Sequence, residues 1–307
     1  MIHASFTVLS GFALKTEQLS DAASNWKFNA FVIIYNFFGI SFVVNIVAKF
    51  FYANEIVSED LMKGMVICSC LSMPTNMMVV LSVNCNGDEA LALFLATFMN
   101  LIGVFITPLL VFFYLQDNAE IDFIKTYKSI GLRVILPVTM GILLRKKMPN
   151  ADVFATSYKR VFLKIRERCL VFIVYATFCT TFMVETDSTH LQIAIMAISQ
   201  IILLVASMAI AWVTLFAFFN RKPKHRVVGL FGCSTKTAAL GIPLISALYE
   251  DSPRLGMYTL PLLIWYPSQL VFGTMLAPRL TKFVDYKLNK YEIESQGKNL
   301  MTMPCLA

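Results

Sequence analysis

Long apolar blocks separated by short charged turns organise this chain. A helix that crosses a bilayer needs about 20 mainly apolar residues. Blocks of that kind lie at 28–52, 61–83, 90–116, 168–184, 191–219, 227–249 and 256–280. A shorter block, 129–144, is preceded by an amphipathic lead-in at 121–133, expected to lie along the membrane interface before the chain enters it. Residues 1–14 (MIHASFTVLSGFAL) have neither the charged start nor the small-residue cleavage site of a signal peptide, and they read as the tail of a further spanning helix. The pattern predicts an all-α polytopic membrane protein with eight full helices and one fragment.

The turns alternate in sign. Basic stretches follow the fragment (Lys15 to Lys27), the 129–144 block (RKKMPNADVFATSYKRVFLKIRER), the 191–219 block (RKPKHR) and the last block (Arg279, Lys282, Lys287 and Lys290). Acidic turns stand between them: Glu55, Glu59 and Asp60; Asp117, Glu120 and Asp122; Glu185 and Asp187; Glu250 and Asp251. Lys and Arg are retained on the cytoplasmic side of a membrane, so the basic set and the C-terminus are expected in the cytoplasm. Nine helices and a cytoplasmic C-terminus would leave Met1 on the outer side. A first helix upstream of Met1 is therefore expected to be missing; a longer transcript with an apolar run of about 20 residues would confirm it.

Composition agrees with this picture and narrows the chemistry. Of 307 residues, 57% are apolar and 15% charged, whereas a soluble domain carries about a quarter charged residues to solvate its surface. The formal charge of +7 is spread over the turns and forms no basic stripe of the kind nucleic acid needs; the expected partner is the lipid bilayer. The seven cysteines, Cys68, Cys70, Cys85, Cys169, Cys179, Cys233 and Cys305, lack zinc-type spacing and are expected to be reduced and structural. No metal site and no resident cofactor is predicted. An intramembrane enzyme would need paired Asp residues, a His–Glu metal motif or a nucleophile with its base; His3, His190 and His225 all lie near membrane edges, so no enzyme is expected.

Two blocks are interrupted. The first, LMKGMVICSCLSMPTNMMVVLSV at 61–83, carries Pro74 followed by Thr75 and Asn76. Proline removes a backbone donor and clashes with the preceding turn. The second, VVGLFGCSTKTAALGIPLISALY at 227–249, carries Gly232, Ser234, Thr235, Lys236 and Thr237, then Gly241 and Pro243. Each is followed by a charged turn and a long helix, and those helices end alike, in TPLL at 107–110 and APRL at 277–280. Paired breaks at matching places in two halves point to an inverted-repeat transporter with its site near the midplane. Unwound backbone is tolerated there where it is buried or lines a wet cavity. Freed carbonyls, hydroxyls and amides are hard ligands for Na⁺ or another cation, and half-helix N-termini can receive an anion. Lys236 lies ten residues beyond Arg226, hence about 15 Å into the bilayer. An ionisable group at that depth faces a cavity or a partner, with Asn76, Asn100 and Gln269 as the polar candidates to meet it.

These motifs resemble the sodium/bile acid cotransporter family, and within it the member-7-like branch. The residues that carry the resemblance are GFALKTEQL at 11–19, SMPTNMMVVLSVNCNGDEALALF at 72–94, NLIGVFITPLL at 100–110, CSTKTAALGIPL at 233–244 and LPLLIWYPSQLVFGTMLAP at 260–278. The resemblance implies ten helices in two inverted five-helix repeats, with discontinuous helices 61–83 and 227–249 crossing at their breaks and a core domain moving against a panel domain. In the bile-acid branch the crossing carries two Na⁺ sites. Here the acidic Glu of that branch's second crossing helix has no counterpart, and Met77 and Met78 stand where relatives carry small hydroxyl residues. Bile acids are thus a poor expectation as substrates. The branch is associated with control of cellular calcium.

The resulting expectation divides the chain into a first repeat (1–144, lacking its first helix), a basic cytoplasmic linker (145–167), a second repeat (168–285) and a cytoplasmic tail (286–307). The substrate or ion site is assigned to Pro74, Thr75, Asn76, Ser234, Thr235, Lys236 and Thr237, with Asn100 and Gln269 behind them. The halves 61–116 and 227–280 would rock to give alternating access. The expected function is secondary transport of a small organic anion or an inorganic ion, coupled to Na⁺ or H⁺, or Na⁺-independent if the Lys236 ammonium replaces a bound cation. The alternative is a non-transporting regulator of a calcium-entry channel that docks through the basic linker. Plasma and secretory-pathway membranes both fit.

Overall fold

The computed structural model of the chain describes residues 25–115 and 189–301, apart from 221, 250, 251 and 253, together with the single positions 168, 172, 175 and 179. The expectations for 1–14, 121–133, 129–144 and 145–167, and most of 168–184, lie outside the described residues. Among the described residues every regular element is a helix. They are α1 (Trp26–Ala53, with a π-helical turn at Tyr35–Gly39), α2 (Glu59–Ser69), α3 (Thr75–Asn84), α4 (Glu89–Tyr114), α5 (His190–Phe218), α6 (Pro223–Ser234), α7 (Ala238–Leu248) and α8 (Leu255–Met301). Among the described residues, five stretches are long and apolar enough to cross a membrane: α1, α4, α5, the α6–α7 pair, and α8 as far as Tyr291. The α2–α3 pair has halves of 11 and 10 residues, one to each side of its break.

Local chemistry explains the boundaries. Ser58 caps α2 by accepting from the Leu61 amide, with Glu59 and Asp60 in the first turn, where carboxylates meet the positive helix end. Asp88 caps α4 in the same way, at 3.0 Å from the Leu91 amide. The last helix extends beyond the apolar block ending at 280 and continues to Met301. It contains Pro261, Pro267 and Pro278; neighbouring helices and hydroxyls can re-satisfy groups freed by proline in such an environment.

Packing places the broken helices at the centre. Within its most apolar window the α6–α7 pair is 94% buried, against 28–39% for the other four candidate spans. The surrounding helices turn large apolar side chains outward, among them Phe42, Leu101, Phe113, Ile202, Val213 and Met275, as a lipid-facing surface requires. Close approach of backbones sets the spacing at Gly64, where a Cβ would lie 2.6 Å from the Tyr258 carbonyl oxygen and 3.0 Å from Pro261. The polar ends sort as the charge alternation predicts. Lys222 reaches Asn25 Oδ1 (2.7 Å), Asn86 reaches Asp285 (2.9 Å) and Tyr291 reaches the Asn220 carbonyl (3.3 Å) at one end. Arg254 meets Asp60 (3.3 Å) at the other.

Candidate functional site

Each broken helix loses its helical hydrogen bonds for a local reason. Met73 precedes Pro74, and the residue before a proline is pushed out of the α region; the chain is not helical from Leu71 to Pro74, and Pro74 is extended (ψ 123°). In the second helix the run Ser234-Thr235-Lys236-Thr237 combines β-branched residues with hydroxyls that compete for backbone partners. Thr235 and Thr237 are extended (ψ 148° and 125°), and Thr237 then caps α7 by accepting from the Ala239 amide at 3.3 Å. Gly241 and Pro243 therefore lie inside α7, not in the break.

The two interruptions meet, and the backbone at their junction is satisfied by named donors. Along the first break, the Cys70 carbonyl accepts from Thr107 Oγ1 (3.0 Å) and the Leu71 carbonyl from Lys236 Nζ (2.9 Å). The Ser72 carbonyl accepts from the Thr237 amide (2.8 Å), and the Met73 carbonyl from Asn100 Nδ2 (2.9 Å). Along the second, Asn36 Nδ2 faces the carbonyls of Gly232 (2.9 Å), Cys233 (3.2 Å) and Thr235 (3.2 Å). Gln269 clasps the Lys236 backbone in both directions, accepting from its amide at 2.7 Å and donating to its carbonyl at 2.8 Å. One backbone hydrogen bond thus joins the two breaks directly, from the Thr237 amide to the Ser72 carbonyl, and side chains of α1, α4 and α8 bond the other groups they expose.

Lys236 is wholly buried, and its ammonium has a complete set of acceptors. An ammonium has three donors, and three oxygens stand within reach: the Asn36 carbonyl (2.8 Å), Asn36 Oδ1 (3.0 Å) and the Leu71 carbonyl (2.9 Å). Leu71 lies just past the C-terminal end of α2, where the helix dipole favours a cation. The ammonium is thus held by three oxygens of Asn36 and Leu71.

The expected site residues separate by what they bond. Lys236, Thr237 and Gln269 lie in the junction and bond across it. Asn100 serves the first break, donating to Thr75 Oγ1 (3.0 Å) and accepting from Ser72 Oγ (3.0 Å). Ser234 and Thr235 are buried, but each hydroxyl donates to its own helix, to the Leu230 and Phe231 carbonyls at 2.7 Å, so neither is an open ligand. Pro74 is the N-cap of α3 and contributes no side-chain cap. Asn76 is half-buried in the first turn of α3, outside the junction's hydrogen bonds. The polar partner of Lys236 is therefore not Asn76 or Asn100. It is Asn36, which sequence reasoning missed; Thr107, missed as well, serves the Cys70 carbonyl instead. The signal available for Asn36 was a lone amide in the apolar run YNFFG. The π-helical turn at Tyr35–Gly39 offsets the helix face there; such turns often mark functional positions.

Comparison with known proteins agrees with this architecture. The sequence profile of the SBF-like CPA transporter family matches residues 1–282. Sodium/bile acid cotransporter 7 of Rattus norvegicus is 26% identical over 283 residues, covering 90% of this chain and 80% of that protein. Sodium/bile acid cotransporter 7-B of Xenopus laevis is 26% identical over 295 residues, covering 94% and 84%. Solute carrier RCH1 of Candida albicans is 22% identical over 330 residues, covering 90% and 79%.

Proposed function

The chain belongs to the SBF-like CPA transporter family, a family of integral membrane transporters and not of enzymes, and from that premise we propose that it is a Na⁺-independent secondary carrier whose junction of broken helices holds a tethered positive charge. The observation that carries this reading is the Lys236 ammonium, bonded at 2.8, 3.0 and 2.9 Å to three oxygens of Asn36 and Leu71. A lysine already in the oxygen cage does what Na⁺ would do electrostatically, without a gradient to draw on.

The same reading selects an anionic solute, a small organic anion or an inorganic one. The first turn of α3 has no side-chain cap, and its Thr75 and Asn76 are half-buried, not sealed. Uncapped helix N-termini receive anions. The halves 61–116 and 227–280 are bonded to each other through Leu71, Ser72, Lys236 and Thr237, so rocking one against the other would break the junction. In this proposal they travel together against the rest of the protein. A link to cellular calcium belongs to the proposal as well, resting on the resemblance to the member-7-like branch.

The test is solute flux in proteoliposomes across a panel of organic and inorganic anions, with Na⁺ replaced by N-methylglucamine. Wild type should transport equally under both conditions. Lys236→Ala should lose flux, and Na⁺ or a small alkylammonium should restore part of it by entering the emptied cage. Wild-type flux that tracks the Na⁺ gradient, or an unimpaired Lys236→Ala, refutes the reading.

A further inference from the structure

Arg226 lies outside the junction, in the first turn of α6, and is 1% exposed. A buried charge is ordinarily paired with an opposite charge and fully hydrogen-bonded, because its desolvation is costly. This guanidinium is surrounded by rings instead: Trp212 at 4.5 Å and Phe216 at 4.9 Å from α5, and Phe283 at 4.7 Å from α8. Ring faces attract the cation, but they do not replace acceptors for N–H groups in the guanidinium plane. Nε and Nη1 are buried without a hydrogen-bond partner among the described residues.

The surroundings favour an anion. α6 starts at Pro223 after Lys222, with no side-chain cap, so the positive end of a 12-residue helix lies beside the arginine. Lys224 is exposed in the same turn. Two acidic side chains at this end, among the described residues, are engaged elsewhere: Asp285 accepts from Asn86 at 2.9 Å, and Asp88 caps α4 and lies 3.9 Å from His225 Nδ1. One wall of the cage is also open to the outside, since Phe216 is 51% exposed. Movement of that single ring would uncover the guanidinium from the lipid-facing side. The cage sits in the first turn of a helix pair long and apolar enough to cross a membrane, and basic pockets between helices near membrane surfaces take anionic lipids.

We propose that Arg226, caged by Trp212, Phe216 and Phe283, anchors a phosphate-binding site at the basic end of the bundle, occupied by a phospholipid phosphate or by free phosphate. The guanidinium would grip two phosphate oxygens, the geometry for which arginine is suited.

The test uses the full chain in detergent, following its thermal unfolding midpoint during titration with dioctanoyl phosphatidic acid, dioctanoyl phosphatidylcholine and, separately, inorganic phosphate. The expected result is a saturable rise with phosphatidic acid, none with phosphatidylcholine, and half-saturation weakened about tenfold or more in Arg226→Gln. An equal Arg226-dependent response to inorganic phosphate identifies free phosphate as the ligand; its absence identifies the lipid. If Arg226→Gln does not fold, Arg226→Lys, which keeps the charge but not the two-pronged grip, should bind several-fold more weakly, while Lys224→Gln should bind nearly as wild type does. No saturable response in wild type, undiminished binding in Arg226→Gln, or Arg226→Lys binding as tightly as wild type overturns the proposal.

Discussion

Replacing Asn36 by leucine exchanges an amide for a bulkier alkyl group with the same number and branching of heavy atoms, at a position with 0% exposure. Nδ2 has two hydrogens to share among the Gly232, Cys233 and Thr235 carbonyls, and Oδ1 accepts one hydrogen from Lys236. The substitution therefore deletes about three hydrogen bonds, one of them to a charge. Side-chain hydrogen bonds within membrane proteins average about 0.6 kcal/mol, which sets a floor of about 2 kcal/mol for three. The abandoned partners stay buried, however, and each unsatisfied group carries a desolvation penalty of about 1–3 kcal/mol. A loss of roughly 2–6 kcal/mol follows. At about 2–4 °C per kcal/mol for a chain of this size, the unfolding midpoint should fall by at least about 4 °C. Heating detergent-solubilised protein and measuring the surviving monodisperse fraction by fluorescence-detected size exclusion gives the number. Asn54→Ala is the control, because Asn54 is exposed and bonds the Phe50 carbonyl of its own helix at 2.7 Å; it should stay within about 0.5 kcal/mol of wild type. If Asn36→Leu unfolds with Asn54→Ala, Asn36 does not hold the junction and the account of Lys236 as a caged cation fails with it.

Gln269→Leu strips the Lys236 backbone of both bonds, at 2.7 and 2.8 Å, and should lower stability by about 1–3 kcal/mol while slowing flux. Transport by the surviving protein should remain indifferent to Na⁺, since the ammonium keeps its acceptors; acquired Na⁺ dependence would contradict that. Gly64→Ala puts a methyl group 2.6 Å from the Tyr258 carbonyl, backbone that yields poorly, and should cost about 1–3 kcal/mol. Gly39→Ala, whose methyl would meet nothing nearer than 3.8 Å, should be tolerated, and equal thermal midpoints for the two would show that α2 and α8 are not held at that spacing.

Much of the architecture was legible in the chain because bilayer constraints are strong and local. Length and apolarity located the spans of α1, α4 and α5 to within a few residues of their observed bounds. Charge alternation grouped the ends: Lys222 and Asp285 with one set of turns, Asp60 and Arg254 with the other. Pro74 and the Ser-Thr-Lys-Thr run marked both breaks, since each disfavours helix through its own backbone chemistry. The depth of Lys236 singled it out as a residue in need of partners. Family membership accords with the reading of the chain as an all-helical, multi-pass membrane transporter.

Which groups meet at the breaks was a matter of tertiary structure. Asn36 and Lys236 are 200 positions apart, and no periodicity relates them; the π-helical turn that offsets Asn36 has no mark in YNFFG beyond its polarity. The same holds for Thr107, which donates to the Cys70 carbonyl 37 positions away. Gly241 and Pro243, plausible breakers in one dimension, are absorbed into α7. Sequence by itself determined where backbone must leave the helix in a membrane, because that depends on each residue's own donors and sterics. Only the fold decided which distant side chains satisfy the groups released there, because hydrogen bonds form between whatever the packing brings within 3 Å, and packing is a property of all the helices together.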